Sequence, residues 1–215
     1  MPELRSKIPK RIGVLLSSES LWEIIFCFHQ IESKGYMRMP IVFTPVGADP
    51  DEPDFKKSIH KNLSRIDLTD AEDLKTGSLT ALIMAVGEKE FDTLCDFDEK
   101  GKAFKISTEL RAFLRTVYRK GLPIGAFGHA VPILVKAIQG ITQSGPVVTV
   151  GNNPKLQSGI EAAGAQAITT RPTEVVIDQT NKLVTSGGQL ATKRLVEVSA
   201  DCENMIKALL ELIKG

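Results

Sequence analysis

The chain has 215 residues, of which 42% are hydrophobic and 25% charged, and 27 Lys and Arg oppose 26 Asp and Glu for a net charge of +1. This length and composition predict a globular protein and argue against disorder. A net charge this small lacks the positive field that gathers nucleic acid or an anionic membrane, and no apolar run approaches the roughly 20 residues of a membrane span. We therefore expect neither nucleic acid nor a membrane as a partner.

The three cysteines, Cys27, Cys95 and Cys202, are widely spaced and odd in number. That pattern excludes a disulfide framework and a four-cysteine zinc site, and it is typical of a reducing compartment. No apolar segment follows the charged residues at the N-terminus, so we expect a cytoplasmic protein without a secretory signal. His29 and His60 have no ligand-spaced partners around them, and we expect no metal and no cofactor.

Residues 1–10 are expected to form a loosely held tail, and residues 11–215 a single domain. Short apolar runs predict strands over 11–16, 41–44, 79–86, 123–127, 147–150, 167–168, 175–177 and 183–185. Apolar residues at helical spacing predict helices over 21–34, 58–75, 107–120, 131–138, 154–163 and 190–214. An irregular acidic connection is expected over 89–101. The alternation predicts an α/β fold with helices on both faces of a mostly parallel sheet, and sites beyond the carboxyl ends of its strands.

The segment PIGAFGHAVPIL has the pattern of a strand, a tight turn and a helix. A nucleophile elbow is built this way, and a cysteine at such a turn would be activated by the helix dipole. Here the turn carries Gly128, which has no nucleophile. The simpler alternative is an ordinary connection that uses the backbone freedom of glycine.

Several segments together carry a resemblance to a known family: RIGVLLS, the helix with Glu23, LTALIMAVG, AFGHA and NKLVTSGGQLATK. In this order they resemble the PfpI and class I glutamine amidotransferase-like superfamily, which includes the parkinsonism-associated deglycase. LPIGAFGHAVPILVK and VVIDQTNKLVTS are most similar to its ElbB-like branch of isoprenoid-biosynthesis proteins. The resemblance runs from about Lys10 to the C-terminus. It implies a flavodoxin-like three-layer αβα sandwich and a homodimer.

The positions that match the site of this superfamily depart from its pattern. The resemblance places the cysteine nucleophile at Gly128 and its partner glutamate at Glu23. The Pro-Gly-Gly turn that helps to form the oxyanion hole of the superfamily matches Ala85-Val86-Gly87, so only its last glycine is kept. The histidine that follows the cysteine in PfpI-type members matches His129. The loop before the glutamate, here SSESLW, is several residues shorter than in the ElbB-like branch. The combined losses point away from cysteine chemistry.

We therefore expect a pocket lined by Glu23, Gly87, Gly128 and His129 that binds a small molecule in a non-catalytic or regulatory protein, with no catalytic residue assigned. The alternative is an enzyme on a small carbonyl substrate (glyoxalase-like, deglycase-like or a hydrolase) in which Glu23 and His129 converge as acid and base. A third possibility is a subunit that acts only with a partner. Two structural interpretations also stay open. Glu23 is a solvated carboxylate in the first turn of its helix, and His129 caps a helix. Trp22 is expected to wall the pocket or to lie at a dimer face.

Overall fold

The structure, a computed structural model, describes residues 10–16, 20–42 and 79–214. Its strands are β1 (Arg11–Leu16), β2 (Met37–Val42), β3 (Leu79–Val86), β4 (Ile124–Gly128), β5 (Val147–Val148), β6 (Gln166–Ala167), β7 (Val175–Asp178) and β8 (Leu183–Ser186). Its helices are α1 (Leu21–Ser33), α2 (Glu88–Leu94), α3 (Phe97–Lys100), α4 (Thr108–Arg119), α5 (Ala130–Ile138), α6 (Pro154–Ala162) and α7 (Leu195–Lys214). Two 3₁₀ turns cover Gly101–Ala103 and Gly188–Leu190.

Six strands form one sheet in the order β2-β1-β3-β4-β8-β7, and β5 pairs with β6 in a separate two-stranded sheet. Every neighbouring pair in the large sheet is parallel except β7 and β8, which form an antiparallel hairpin at one edge. β1, β3 and β4 lie inside the sheet, and their sequences are nearly continuous apolar runs. Parallel strands that are covered on both faces have this composition.

The side chains of β3 alternate between two apolar cores, as the two-residue period of a strand requires. Ala81 and Ile83 belong to the core under α1 and α7. Leu82 and Met84 point the other way, into the core under α4, α5 and α6. Helices therefore cover both faces of the sheet, and the predicted α/β fold class, a three-layer αβα sandwich with a mostly parallel sheet, is confirmed.

α4 is the helix that the sequence marks most clearly, and the structure confirms it. The Ser107 side chain accepts a hydrogen bond from the backbone N–H of Leu110, at 3.5 Å, and so caps the first turn. Leu110, Phe113, Leu114 and Val117 are buried along one stripe. Such burial supplies most of the stability of a helix this short.

The expectation of an irregular connection over 89–101 is wrong. This stretch forms α2 and α3. Phe91, Leu94 and Phe97 recur at intervals of three residues and are all buried. The apolar spacing outweighs the surrounding acidic residues, which occupy the outer side of these short helices.

Other boundaries also differ from the prediction. β2 begins at Met37, because Met37 already pairs with Arg11 at the start of β1. The predicted strand over 147–150 is shortened to β5. The last helix begins at Leu195, after the 3₁₀ turn Gly188–Leu190 and a non-helical segment in which Thr192 Oγ1 accepts the Arg194 N–H at 3.1 Å. The predicted helix over 58–75 lies outside the described residues.

Candidate functional site

The candidate site lies where β3, β4 and β8 end beside one another. Val86 pairs with Gly128 across β3 and β4, and Phe127 pairs with Ser186 across β4 and β8. Because these strands are parallel, the residues that follow them meet at the carboxyl edge of the sheet. Gly87 and the 3₁₀ turn Gly188–Leu190 therefore flank the end of β4.

Gly128 has the backbone of an elbow without its side chain. Its φ is +48°, in the left-handed region that favours glycine. A Cβ built there would lie 3.1 Å from the backbone oxygen of Gly187 and 3.3 Å from Cγ of Leu190. Gly187 and Leu190 therefore crowd the Cβ position at this turn.

Glu23 is buried at the start of α1, with 3% of its surface exposed. The backbone N–H of Gln189 donates to Glu23 Oε1 at 3.1 Å, and the side-chain amide of Gln189 donates to Oε2. An ideal Cβ on Gly188 would lie 3.2 Å from Glu23 Oε1. The carboxylate thus faces the 3₁₀ turn, and the interpretation of Glu23 as a solvated side chain does not hold.

Below this turn lies a second buried carboxylate, Asp201 of α7, which is 2% exposed. Its Oδ2 accepts the Ser186 hydroxyl at 2.6 Å, and Ser186 Oγ accepts the Gly188 N–H at 3.1 Å. Its Oδ1 has no hydrogen-bond partner. Burial raises the pKa of Asp201 to about 6, and the negative charge of Glu23 acts in the same direction.

His129 follows the elbow and packs against α2. Its ring centroid lies 5.2 Å from that of Phe91, with the planes tilted by 42°. Burial lowers the pKa of His129, while the carboxylates of Glu88 and Asp92 partly offset this and the positive charge of Lys193 adds to it. The imidazole is therefore held mainly neutral at neutral pH.

His129 and Glu23 have different partners in the structure. Phe91, the ring neighbour of His129, belongs to the core under α4 and α5. The Glu23 carboxylate is bound by Gln189. Glu23 Oε1 and the backbone nitrogen of Gly128 lie 3.2 Å and 3.6 Å from the Cβ position of Gly188, so Glu23 approaches the elbow from the side of the 3₁₀ turn.

Gly87 follows β3 and begins α2, where its backbone oxygen accepts the Phe91 N–H at 2.9 Å. Its φ of −77° is accessible to other residues. Ala85 and Val86, which match the remainder of the oxyanion turn, are buried in β3. The segment thus serves as a strand end and a helix start.

The cysteines contribute no nucleophile in the described residues, because all three are buried free thiols. Burial raises the pKa of Cys95 to about 12, with nearby acidic residues as smaller causes. The acidic residues around Cys95 already predict a raised pKa from the sequence, but burial is the larger cause of the rise. Contact with Cys27 and burial raise the pKa of Cys202.

Of the remaining candidates, Trp22 is 44% exposed and stacks on Phe26, with ring centroids 6.1 Å apart. His29 is exposed on α1, and His60 lies outside the described residues. Within residues 10–16, 20–42 and 79–214, no three His, Cys, Asp or Glu side chains are grouped as metal ligands. Over the same ranges, no helix has the length and apolar character needed to cross a bilayer.

The sequence assigns no role to three residues of the site, Gln189, Leu190 and Asp201, although Gln189 lies in a segment that follows a predicted strand. Asp201 leaves a signal, since it falls among the apolar positions of α7 between Val198 and Cys202 and is therefore an acid at a core position. Gln189 and Leu190 carry no such signal, because their role depends on how the 3₁₀ turn folds back over the end of β4.

The parallel sheet, the left-handed elbow after β4 and the glutamate on α1 together define an amidotransferase-like fold of the DJ-1 and PfpI type. No family model matches the chain. The human glutamine amidotransferase-like class 1 domain-containing protein 3, mitochondrial, is 26% identical over 159 residues, which cover 70% of this chain and 58% of that protein. The chain thus spans 58% of the length of this curated relative.

Solved structures share the fold over nearly the whole chain. An isoprenoid biosynthesis protein with an amidotransferase-like domain from Ehrlichia chaffeensis has a TM-score of 0.69 and 16% identity, covering 94% of this chain and 99% of its own. Glyoxalase III from Candida albicans has a TM-score of 0.56 and 16% identity, with 93% and 97% covered. DJ-1 from Schizosaccharomyces pombe has a TM-score of 0.58 and 13% identity, with 95% and 97% covered. The resemblance predicted from the sequence is confirmed, and these structural likenesses establish the fold.

Proposed function

We propose that the chain is a non-catalytic or regulatory binding protein on an amidotransferase-like fold. The observation that carries the proposal is Gly128, where the backbone turns as an elbow does while no nucleophile is present. A Cβ at this position would lie 3.1 Å from the Gly187 oxygen and 3.3 Å from Leu190 Cγ, so a side chain there would be crowded. Nucleophilic catalysis needs an activated side chain, and this turn offers none.

The competing proposal is an enzyme that uses Glu23 and His129 on a small carbonyl substrate. General acid–base catalysis requires both groups within hydrogen-bond reach of the same substrate. Glu23 is bound by Gln189, while His129 stacks on Phe91 on the side of α2. This geometry favours the binding function.

The test is a panel of glyoxalase, deglycase, esterase and glutaminase assays on the purified chain, with Glu23→Gln and His129→Ala as variants. We expect no turnover above the buffer blank in any assay. Turnover that falls in either variant would establish the enzyme instead, because contaminating activity would not depend on these residues.

We also propose that the chain forms a homodimer through the outer side of α1. Trp22 and Ile25 are 44% and 42% exposed there, beside the half-buried Phe26. Aromatic residues on a surface are typical of the centre of a protein interface. Light scattering coupled to size exclusion tests this: we expect a dimer that Trp22→Ala weakens, and a monomer at high concentration would contradict it.

The proposed location is the cytoplasm, where three buried free thiols remain reduced. The human relative carries the word mitochondrial in its name, which makes the mitochondrion the competing location. Fractionation of cells that express the untagged chain separates the two. Recovery with a mitochondrial marker would overturn the cytoplasmic proposal.

A further inference from the structure

Two of the three cysteines lie where α1 packs against α7. The two helices contribute buried stripes to the same apolar core, and each stripe has its cysteine at the middle position: Ile24, Cys27 and Ile31 on α1; Val198, Cys202 and Met205 on α7. Both thiols are 0% exposed. The helices therefore bring two sheltered thiols from distant parts of the chain into one small region.

The Cys202 thiol reaches the turn of α1 that ends at Cys27. Its Sγ donates to the backbone oxygen of Glu23 at 3.7 Å. In an α-helix the carbonyl of residue 23 accepts the N–H of residue 27, so this contact places Cys202 beside the turn that carries Cys27. The two thiols are also in hydrogen-bond contact with each other, and this contact together with burial raises the pKa of Cys202. Because a disulfide needs two Cβ atoms about 3.5–4.5 Å apart, Cys27 and Cys202 are the pair of this chain that approaches the requirement.

Cys95 provides the contrast, since it is a buried thiol without a second thiol beside it. Its Sγ also donates to a backbone oxygen, that of Phe91, at 3.2 Å. It belongs to the other apolar core, which contains neither Cys27 nor Cys202. Cys95 is therefore a matched control for burial and for the bond to a carbonyl.

We propose that Cys27 and Cys202 are an oxidation site at which hydrogen peroxide converts the two thiols into a disulfide that links α1 to α7. One thiol reacts as its thiolate: the O–O bond of the peroxide breaks, a sulfenic acid forms, and hydroxide leaves and takes up a proton. The other thiol attacks this sulfur, so that the S–S bond forms and water leaves. Overall, the thiols lose two protons and two electrons, and the peroxide is reduced to two molecules of water. The inference is independent of the proposed function.

Burial of the pair determines when this reaction takes place. The closed core offers little thiolate to peroxide, because both thiols are shielded from solvent. Oxidation therefore requires α1 and α7 to separate briefly, and reclosure then brings the second thiol to the sulfenic acid. Once formed, the disulfide closes a loop that includes most of the chain. Such a cross-link restricts the unfolded chain and so raises the melting temperature.

The experiment treats the purified whole chain with hydrogen peroxide, blocks the remaining thiols with N-ethylmaleimide in denaturant, and maps disulfides by mass spectrometry without reduction. We expect one intramolecular disulfide, between Cys27 and Cys202, with Cys95 recovered as a blocked thiol. The oxidised protein is expected to melt at least about 5 °C above the reduced protein. Dithiothreitol is expected to restore both the thiols and the lower melting temperature.

Variants separate the pair from thiol oxidation in general. Cys27→Ser and Cys202→Ser are each expected to abolish the disulfide and the rise in melting temperature that follows peroxide. Cys95→Ser is the matched control, and it is expected to form the same disulfide at the same rate as the wild type. The map of the wild type decides the question even where a variant fails to fold.

Three results would overturn the proposal. One is recovery of Cys27 and Cys202 as blocked thiols, or as sulfinic acids, under conditions that oxidise the unfolded chain to a disulfide. The second is a disulfide that includes Cys95 or joins two copies of the chain. The third is a link between Cys27 and Cys202 that does not raise the melting temperature, because the native packing of α1 on α7 would then not accommodate the bond.

Discussion

At the scale of single residues, Gly128 combines a φ of +48° with neighbours that leave little room for a side chain. A residue other than glycine costs about 1–3 kcal/mol in such a backbone conformation. Leu190 adds a second restriction, since its Cγ lies 3.3 Å from the Cβ position. A cysteine at this position would therefore be strained in its backbone and crowded at its Cβ by Leu190.

We expect Gly128→Cys to give a thiol that alkylates slowly, and Gly128→Cys with Leu190→Ala to give one that reacts about tenfold faster at neutral pH. The reason is that the N-terminus of α5 lowers the pKa of a thiol at the elbow once space opens around it. Iodoacetamide labelling followed by mass spectrometry measures the two rates. The wild type is the control, because its three cysteines are buried. Equal rates in the single and double variants would show that Leu190 does not cover the elbow.

Asp201 links stability to pH at the same scale. Its pKa rises from 3.8 to about 6 in the folded protein, which corresponds to roughly 3 kcal/mol in favour of the protonated form. The folded state binds the proton more tightly than the unfolded chain does. The stabilising contribution is therefore fully present below pH 3.8 and is lost as the pH rises through about 6.

The variant Asp201→Asn removes this dependence. Raising the pH from 4 to 8 is expected to lower the free energy of unfolding of the wild type by about 1–3 kcal/mol more than that of the variant. Only the wild type carries the buried carboxyl group that loses its proton over this range. Urea unfolding at the two pH values measures the difference. Parallel pH profiles of the two proteins would contradict the assignment, and Glu203→Gln, at an exposed acid of the same helix, is the control.

At the scale of elements, α6 is fixed against α3 through an aromatic contact. A Cβ on Gly159 of α6 would lie 2.3 Å from Cε2 of Phe97. Phe97 is held in turn by Phe91 and Phe104, with ring centroids at 5.6 Å and 5.0 Å. The ring is buried between these neighbours, so a side chain at position 159 would have to displace it.

Gly159→Ala is expected to lower the free energy of unfolding by about 1–2 kcal/mol. Overpacking a core costs about 1–3 kcal/mol, which exceeds the roughly 1 kcal/mol that alanine gains over glycine inside a helix. Ser158→Ala, in the same helix, controls for helix propensity and is expected to change little. Urea unfolding tests both, and a variant more stable than the wild type would show that Phe97 relocates at little cost.

Elements with strong periodicity could be predicted from the sequence, and those that depend on packing could not. The run LTALIMAV is too apolar for a surface, and STELRAFLRTVYRK has a capping serine before an apolar stripe, so β3 and α4 follow directly. The acidic residues around Phe91 and Phe97 are typical of a loop, whereas α2 and α3 form there because their apolar side chains are buried. The sequence predicts that the last helix begins at 190, whereas Leu190 ends a 3₁₀ turn and the helix begins at Leu195.

At the scale of the whole molecule, only those parts of the site whose residues are neighbours in the chain could be predicted from the sequence. Gly128 and His129 are adjacent in the chain, and the sequence around them predicts their turn. The contact between Glu23 and Gln189 joins residues 166 positions apart, so no local pattern encodes it.

The order of the strands also constrains how the chain is made. β8 enters the sheet between β4 and β7, and α7, which follows it, covers the core that contains Ile83 and Phe127. While the ribosome is still adding residues 183–214, one edge of β4 has no partner and one apolar face of the sheet has no cover. Uncovered apolar surface and open strand edges promote association between incomplete chains. We therefore expect a chain that ends before α7 to associate with other copies more readily than the whole chain does.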